Sequence, residues 1–85
     1  MIRLRLRELA EAKGMSRTSL SRRADMNYKT VNLLWKDPYR EFTSTWLSQL
    51  ARALDVPVTE LIEEVSDEQA RAEMEAIKKD SQDNS

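Results

Sequence analysis

The sequence predicts an all-α fold, a five-helix bundle carrying a short N-terminal strand and an extra C-terminal helix. Three observations predict it. Apolar residues recur at i, i+3 and i+4 along most of the chain. Residues that start and stop helices fall in the gaps between those stripes. Helix formers dominate, and β-branched residues are scarce beyond the first few positions. With 85 residues the chain holds one small domain, whose core takes about a dozen apolar side chains.

The first seven residues are ambiguous. Ile2, Leu4 and Leu6 alternate with Arg3, Arg5 and Arg7, which is a strand period. On a strand the three arginines share one face. Such a strand needs a partner, and the candidates are "YREFT" (39–43) within the chain or its counterpart in a second subunit. A first helix follows from Leu6 to Lys13 and ends at Gly14, the residue type favoured just past a helix C-terminus. Ser16 is the N-cap candidate of a second helix, with Leu20 and Ala24 inward. Then Asp25 tolerates a left-handed backbone, Met26 is an apolar plug, and Asn27 is a strong N-cap. An end signal, a plug and a start signal in three residues describe a turn between two helices, so this stretch is a helix-turn-helix. The third helix, Tyr28 to Lys36, points Val31, Leu34 and Trp35 inward. Tyr28, Lys29, Asn32 and Lys36 lie on the other side, with Leu33 at the edge.

Asp37-Pro38 breaks that helix. Thr43 is an N-cap candidate for a fourth, in which Leu47, Leu50, Ala51 and Leu54 form an inward stripe. "DVPV" separates it from a fifth helix, "TELIEEV", with Leu61, Ile62 and Val65 inward. Ser66 and Gln69 fit a capping box opening a sixth helix, whose stripe of Ala70, Met74 and Ile77 is thin. The expected division is 1–65 as the helix-turn-helix domain and 66–85 as an acidic C-terminal helix and tail, disordered in its last residues, "DSQDNS".

Composition excludes much. The chain has no cysteine and no histidine. Disulfides, thiol nucleophiles and the commonest general base and zinc ligand are therefore absent. A single glycine rules out a glycine-rich phosphate loop. No clustered catalytic constellation remains, so the expectation is a non-enzyme with no metal and no cofactor. No run is long and apolar enough to cross a bilayer, and no signal-peptide pattern opens the chain, so a soluble, cytoplasmic protein away from membranes is expected. The net charge of -1 hides a split. Met1 to Arg40 carries ten basic and four acidic residues, whereas Glu41 to Ser85 carries four basic and eleven acidic ones. That asymmetry fits a basic face for a polyanion and an acidic opposite end.

The segment "ELAEAKGMSRTSLSRRADMNYKTVNLLWKDP…TSTWLSQLARALDVPVTELIEEV" resembles the Cro/phage-repressor (Xre) type of helix-turn-helix protein, over roughly Leu4 to Val65. "EAKGMS", Leu20, Met26, Val31 and "LARALDVPVTELI" anchor the resemblance. It implies a five-helix Cro/C1-type domain, usually dimeric, that reads operator DNA with its third helix. Three positions depart from the pattern. Asp25 stands where glycine is usual, Arg17 where glutamine is common, and Trp35 where glutamate is frequent.

In such a motif the third helix enters the major groove amino-end first. Tyr28 and Lys29 are then deepest, followed by Asn32 and Leu33. Lys29 can donate to guanine, Asn32 can pair bidentately with adenine, and Tyr28 and Leu33 can pack on a thymine methyl. Arg17, at the start of the second helix, also reaches toward a base. Ser16 and Thr18 frame a helix N-terminus suited to phosphate, and Lys36, Tyr39 and Arg40 are expected backbone clamps. Arg22 and Arg23 fit an ordinary solvated face equally well. Trp46 sits sideways on the fourth helix and fits a dimer contact, against the simpler reading that it covers the bundle's own edge. The functional expectation is a sequence-specific DNA-binding regulator, a repressor acting as a homodimer on double-stranded DNA. The alternative is an antitoxin or adaptor that binds a protein partner through its acidic C-terminal segment.

Overall fold

In a computed structural model that describes residues 1–83, the chain runs β1 (Ile2–Leu4), α1 (Leu6–Ala12), α2 (Arg17–Ala24), α3 (Tyr28–Lys36), α4 (Ser44–Leu54), α5 (Val58–Leu61), β2 (Ile62–Glu64) and α6 (Asp67–Asp83). The mostly helical fold, the N-terminal strand and the extra C-terminal helix are all as the sequence predicts. The expectation of a disordered end from Asp80 meets helical backbone as far as Asp83, and Asn84 and Ser85 lie outside the described residues.

The helix starts follow their capping chemistry. Ser19 N–H donates to Ser16 Oγ at 3.1 Å, Lys29 N–H to Asn27 Oδ1 at 2.8 Å, Trp46 N–H to Thr43 Oγ1 at 3.1 Å, and Gln69 N–H to Ser66 Oγ at 3.1 Å. Each satisfies one amide that the first helical turn leaves unpaired. The stops are left-handed residues: Gly14 (φ 69°), Asp25 (φ 55°) and Asp55 (φ 55°). At Asp25 the chain reverses, and Met26 N–H returns to Ser21 C=O at 3.0 Å, closing α2 in the manner of a Schellman turn. Asp55 repeats the device at the end of α4, with Val56 N–H on Ala51 C=O at 3.0 Å.

The core gathers one stripe from every helix. Leu6, Leu20, Val31, Leu34, Leu50, Leu54 and Leu61 are fully buried together with Leu4 of β1. Each such side chain contributes about 1.5–3 kcal/mol relative to leaving it in water. Trp35, expected in the core, is only half-buried and rests against its edge.

The fifth helix is shorter than the sequence suggests. α5 is one turn, and Ile62–Glu64 turns extended to become β2. Its partner is β1, antiparallel, in the register Ile2↔Glu64, Arg3↔Glu63 and Leu4↔Ile62. The strand period at the N-terminus is therefore real, but neither 39–43 nor a second subunit supplies the pairing. Tyr39–Thr43 forms no strand, and the ladder side of β1 is taken by β2; Leu4 N–H donates to the Pro38 carbonyl at 2.8 Å. The three arginines do not share a face either. Arg5 is the N-cap of α1 and donates to the Glu60 carbonyl at 3.2 Å, while Arg7 lies on α1 and pairs with Glu11 at 3.0 Å.

Arg3 faces away from the core and anchors α6. Its Nε donates to Glu73 Oε1 at 2.8 Å and its Nη2 to Glu73 Oε2 at 2.7 Å, a bidentate pair. It also pairs with Glu8, and with Glu63 at 3.4 Å. The Tyr39 hydroxyl donates to the same Glu73 carboxylate. The Arg3 side chain is only 14% exposed, so these contacts are largely sheltered from water. They join Ala70, fully buried, in docking α6 on the body.

Variants at two positions, Glu73 and Asp25, test these contacts. Arg3 holds the Glu73 carboxyl below its usual range. Stability from this pair is therefore present above the ordinary carboxylate pKa and is lost as pH falls through the depressed folded value. Glu73→Ala should cost about 1–2 kcal/mol at neutral pH, lowering Tm by roughly 5–10 °C. Glu73→Gln should flatten the acid limb of a Tm-against-pH series relative to the wild type. Asp25→Val should destabilise the fold by about 1–2 kcal/mol in denaturant titrations, because a β-branched residue resists a left-handed backbone, whereas Asp25→Gly should be neutral or stabilising.

Candidate nucleic-acid interface

Helices α2 and α3 meet across the Asp25 turn and pack against each other. Asn27 caps α3, its side chain accepting from the Lys29 amide. Tyr28 and Lys29 occupy the first turn of α3, and both are exposed, Tyr28 by 45%. Leu33 is 38% exposed, while Val31 and Leu34 of the same helix are buried. A helix with one face fully buried holds large apolar side chains in water on the other, beside a lysine. Such a face suits a groove that offers both acceptors and methyl groups.

Ser16 and Thr18 are exposed at the start of α2. Ser16 Oγ is occupied as the cap of its own helix. Lys36 is exposed at the end of α3, and Arg40 is exposed just after it. Tyr39 is placed differently from the expectation. Its hydroxyl is committed to Glu73, and burial together with that carboxylate pushes its pKa up to about 12. A Tyr39 contact to phosphate would have to break that bond, so Tyr39 is better described as a brace between α6 and the loop after α3.

Arg17 and Asn32 form a contact that the sequence did not reveal. Arg17 Nη1 donates to Asn32 Oδ1 at 2.6 Å. The guanidinium also lies over the Trp35 ring, 5.9 Å from its centroid, within cation–π range. Arg17 and Trp35 are two of the three positions that depart from the resemblance, and the fold brings them together. Trp46 is half-buried on α4 and packs against the core of its own bundle. Arg22 and Arg23 are exposed on α2.

The charge split now has a location. Arg3, Arg5 and Arg7 are taken up in internal contacts, while Lys29, Lys36 and Arg40 stand exposed along and after α3. Among the described residues there is no group of three or more side chains able to hold a metal, and no helix long and apolar enough to cross a membrane.

Residues 5–67 match the family model of the Cro/C1-type helix-turn-helix DNA-binding domain. The chain belongs to that family. Comparison with curated proteins and with solved structures gives no match. The matched span runs from the N-cap of α1 to the first residue of α6, so it takes in the whole helix-turn-helix and the β2 strand. This Cro/C1-type chain is thus a DNA-binding transcription regulator by family.

In this frame Lys29 carries the clearest expectation. Lys29→Ala should weaken binding to a preferred site by about 1–3 kcal/mol and relax preference at one or two base positions, measured by titration of a panel of single-base variants. Equal weakening on every sequence would make Lys29 a phosphate contact instead.

Proposed function

We propose that the chain is a sequence-specific repressor that reads the major groove of an operator with α3, working as a cytoplasmic homodimer. The observation that carries this reading is the exposed face of α3, where Tyr28, Lys29 and Leu33 stand out beside a buried stripe of the same helix. Tyr28, Lys29, Asn32 and Leu33 are the base-contacting set, with Arg17 joining from α2. Ser16, Thr18, Lys36 and Arg40 are the phosphate-contacting set. The amide-rich start of α2 favours a phosphate there through its unpaired N–H groups and its dipole.

One recognition helix reads a handful of base pairs, too few to discriminate against a genome of competing sites. Two copies related by a dyad place two such helices in successive major grooves about 34 Å apart. The α4 side carrying Trp46 is the proposed contact, since a half-buried tryptophan offers a large apolar surface for further burial. The adaptor reading has weaker support. The apolar stripe of α6 is turned toward its own domain, with Ala70 fully buried and Met74 and Ile77 half-buried, which leaves an acidic outer face for any second protein.

Selection of bound sequences from random DNA, followed by sedimentation on the selected site, tests the proposal. The expected result is an inverted repeat bound by two chains, with affinity falling as salt rises. A single chain that saturates an unrepeated site at full affinity would remove the dimer. Trp46→Ala should weaken assembly on the repeat without changing which half-site is preferred.

A further inference from the structure

The contact between Arg17 and Asn32 fixes more than a side-chain position. An arginine has donors only, so the Asn32 atom it meets must be the carbonyl oxygen, and the amide NH2 must point the other way. In this arrangement the Asn32 oxygen is already engaged at 2.6 Å by a cation. Bidentate pairing with adenine requires that oxygen to accept from the adenine amino group while the amide donates to N7. The guanidinium takes one lone pair of that oxygen and places a positive charge beside it, which disfavours a second donor such as the adenine amino group. Among the described residues, the remaining Arg17 N–H groups and the Asn32 NH2 have no hydrogen-bond partner. The free N–H groups of the pair are therefore all available to an acceptor, while its one acceptor atom already holds a guanidinium.

We propose that Arg17 and Asn32 act as one reading unit that turns its free N–H donors to the major-groove edge of a guanine, whose O6 and N7 are both acceptors, and that Trp35 is the residue that positions it. The proposal rests on the major-groove reading of α3 and deepens it. It replaces the adenine expected for Asn32 by guanine. Trp35 contributes no contact to DNA. Its ring face holds the guanidinium over α3, so the fork stays beside Asn32 rather than swinging into solvent. The unit spans two helices, with Arg17 at the start of α2 and Asn32 in the middle of α3, and Trp35 lies three residues after Asn32, on the neighbouring turn.

The test uses the full chain and the site selected from random DNA. Each guanine of the half-site is replaced in turn by 7-deazaguanine, which lacks the N7 acceptor, or by inosine, which keeps O6 and N7. One guanine should show about a tenfold to hundredfold loss with 7-deazaguanine and none with inosine. The affinity ratio of guanine DNA to 7-deazaguanine DNA should fall toward one in Arg17→Lys, which keeps the charge but loses the fork. It should fall likewise in Trp35→Leu and be kept in Trp35→Tyr, which preserves the ring face. A ratio untouched by Arg17→Lys overturns the proposal and leaves DNA reading by α3 intact. So does an adenine selected at the position sensitive to Asn32→Ala, or equal weakening of Arg17→Lys on every sequence, which would make Arg17 a phosphate contact. Recovery of no preferred sequence at all overturns both this proposal and the regulator reading beneath it.

Discussion

Asp25 holds φ 55° and ψ 45°, and the direction of α3 follows from that one left-handed residue. The turn returns the Met26 amide to Ser21, tucks Met26 against the core, and hands the chain to Asn27 for capping. With α3 aimed by this bend, the stripe of Val31 and Leu34 is buried, and Tyr28, Lys29 and Leu33 are left outward. A regular helix across Asp25 to Asn27 would lie past the core and bury neither stripe. An aspartate serves where glycine would be easier because its short polar side chain tolerates the left-handed region.

The C-terminal helix is held by a different kind of force. α6 brings little apolar area to the body, and a fork from Arg3 to Glu73 takes the place of a wide hydrophobic stripe. Charged contacts of this kind cost desolvation as well as gaining attraction, so their net value depends on geometry and on the extra bonds around them. Here the carboxylate also accepts from Tyr39, which ties α6 to the loop that follows α3. Trp35 stands between the two systems. It lines a narrow cleft with Glu73 and Ile77 of α6, and it lies beneath Arg17 of α2.

Much of this was legible in the residues. Capping chemistry marked Ser16, Asn27, Thr43 and Ser66, and local hydrogen bonds need no knowledge of the rest of the fold. The outward face of α3 was legible for the same reason, since helical period alone sorts Val31 and Leu34 from Tyr28 and Lys29. What escaped was non-local. Ile62–Glu64 carries helix-compatible residues and becomes a strand only because β1 offers it a ladder, a tertiary effect that overrides propensity. Tyr39 looked like a free clamp because nothing in its neighbourhood announces Glu73, far along the chain. In sequence Arg17 and Asn32 are separate contacts, and only the α2–α3 crossing joins them.

The pairing of β1 with β2 has a consequence for how the chain assembles. Ile2 waits for Glu64, so β1 closes its ladder only after most of the domain has been made. The contacts of α2 with α3 and of α2 with α4 join segments much nearer in sequence, and low separation of this kind favours early formation. The helical hairpin that faces outward can therefore take shape on the nascent chain, while the two-stranded ribbon, and with it the seat of α6, acts as a late clasp.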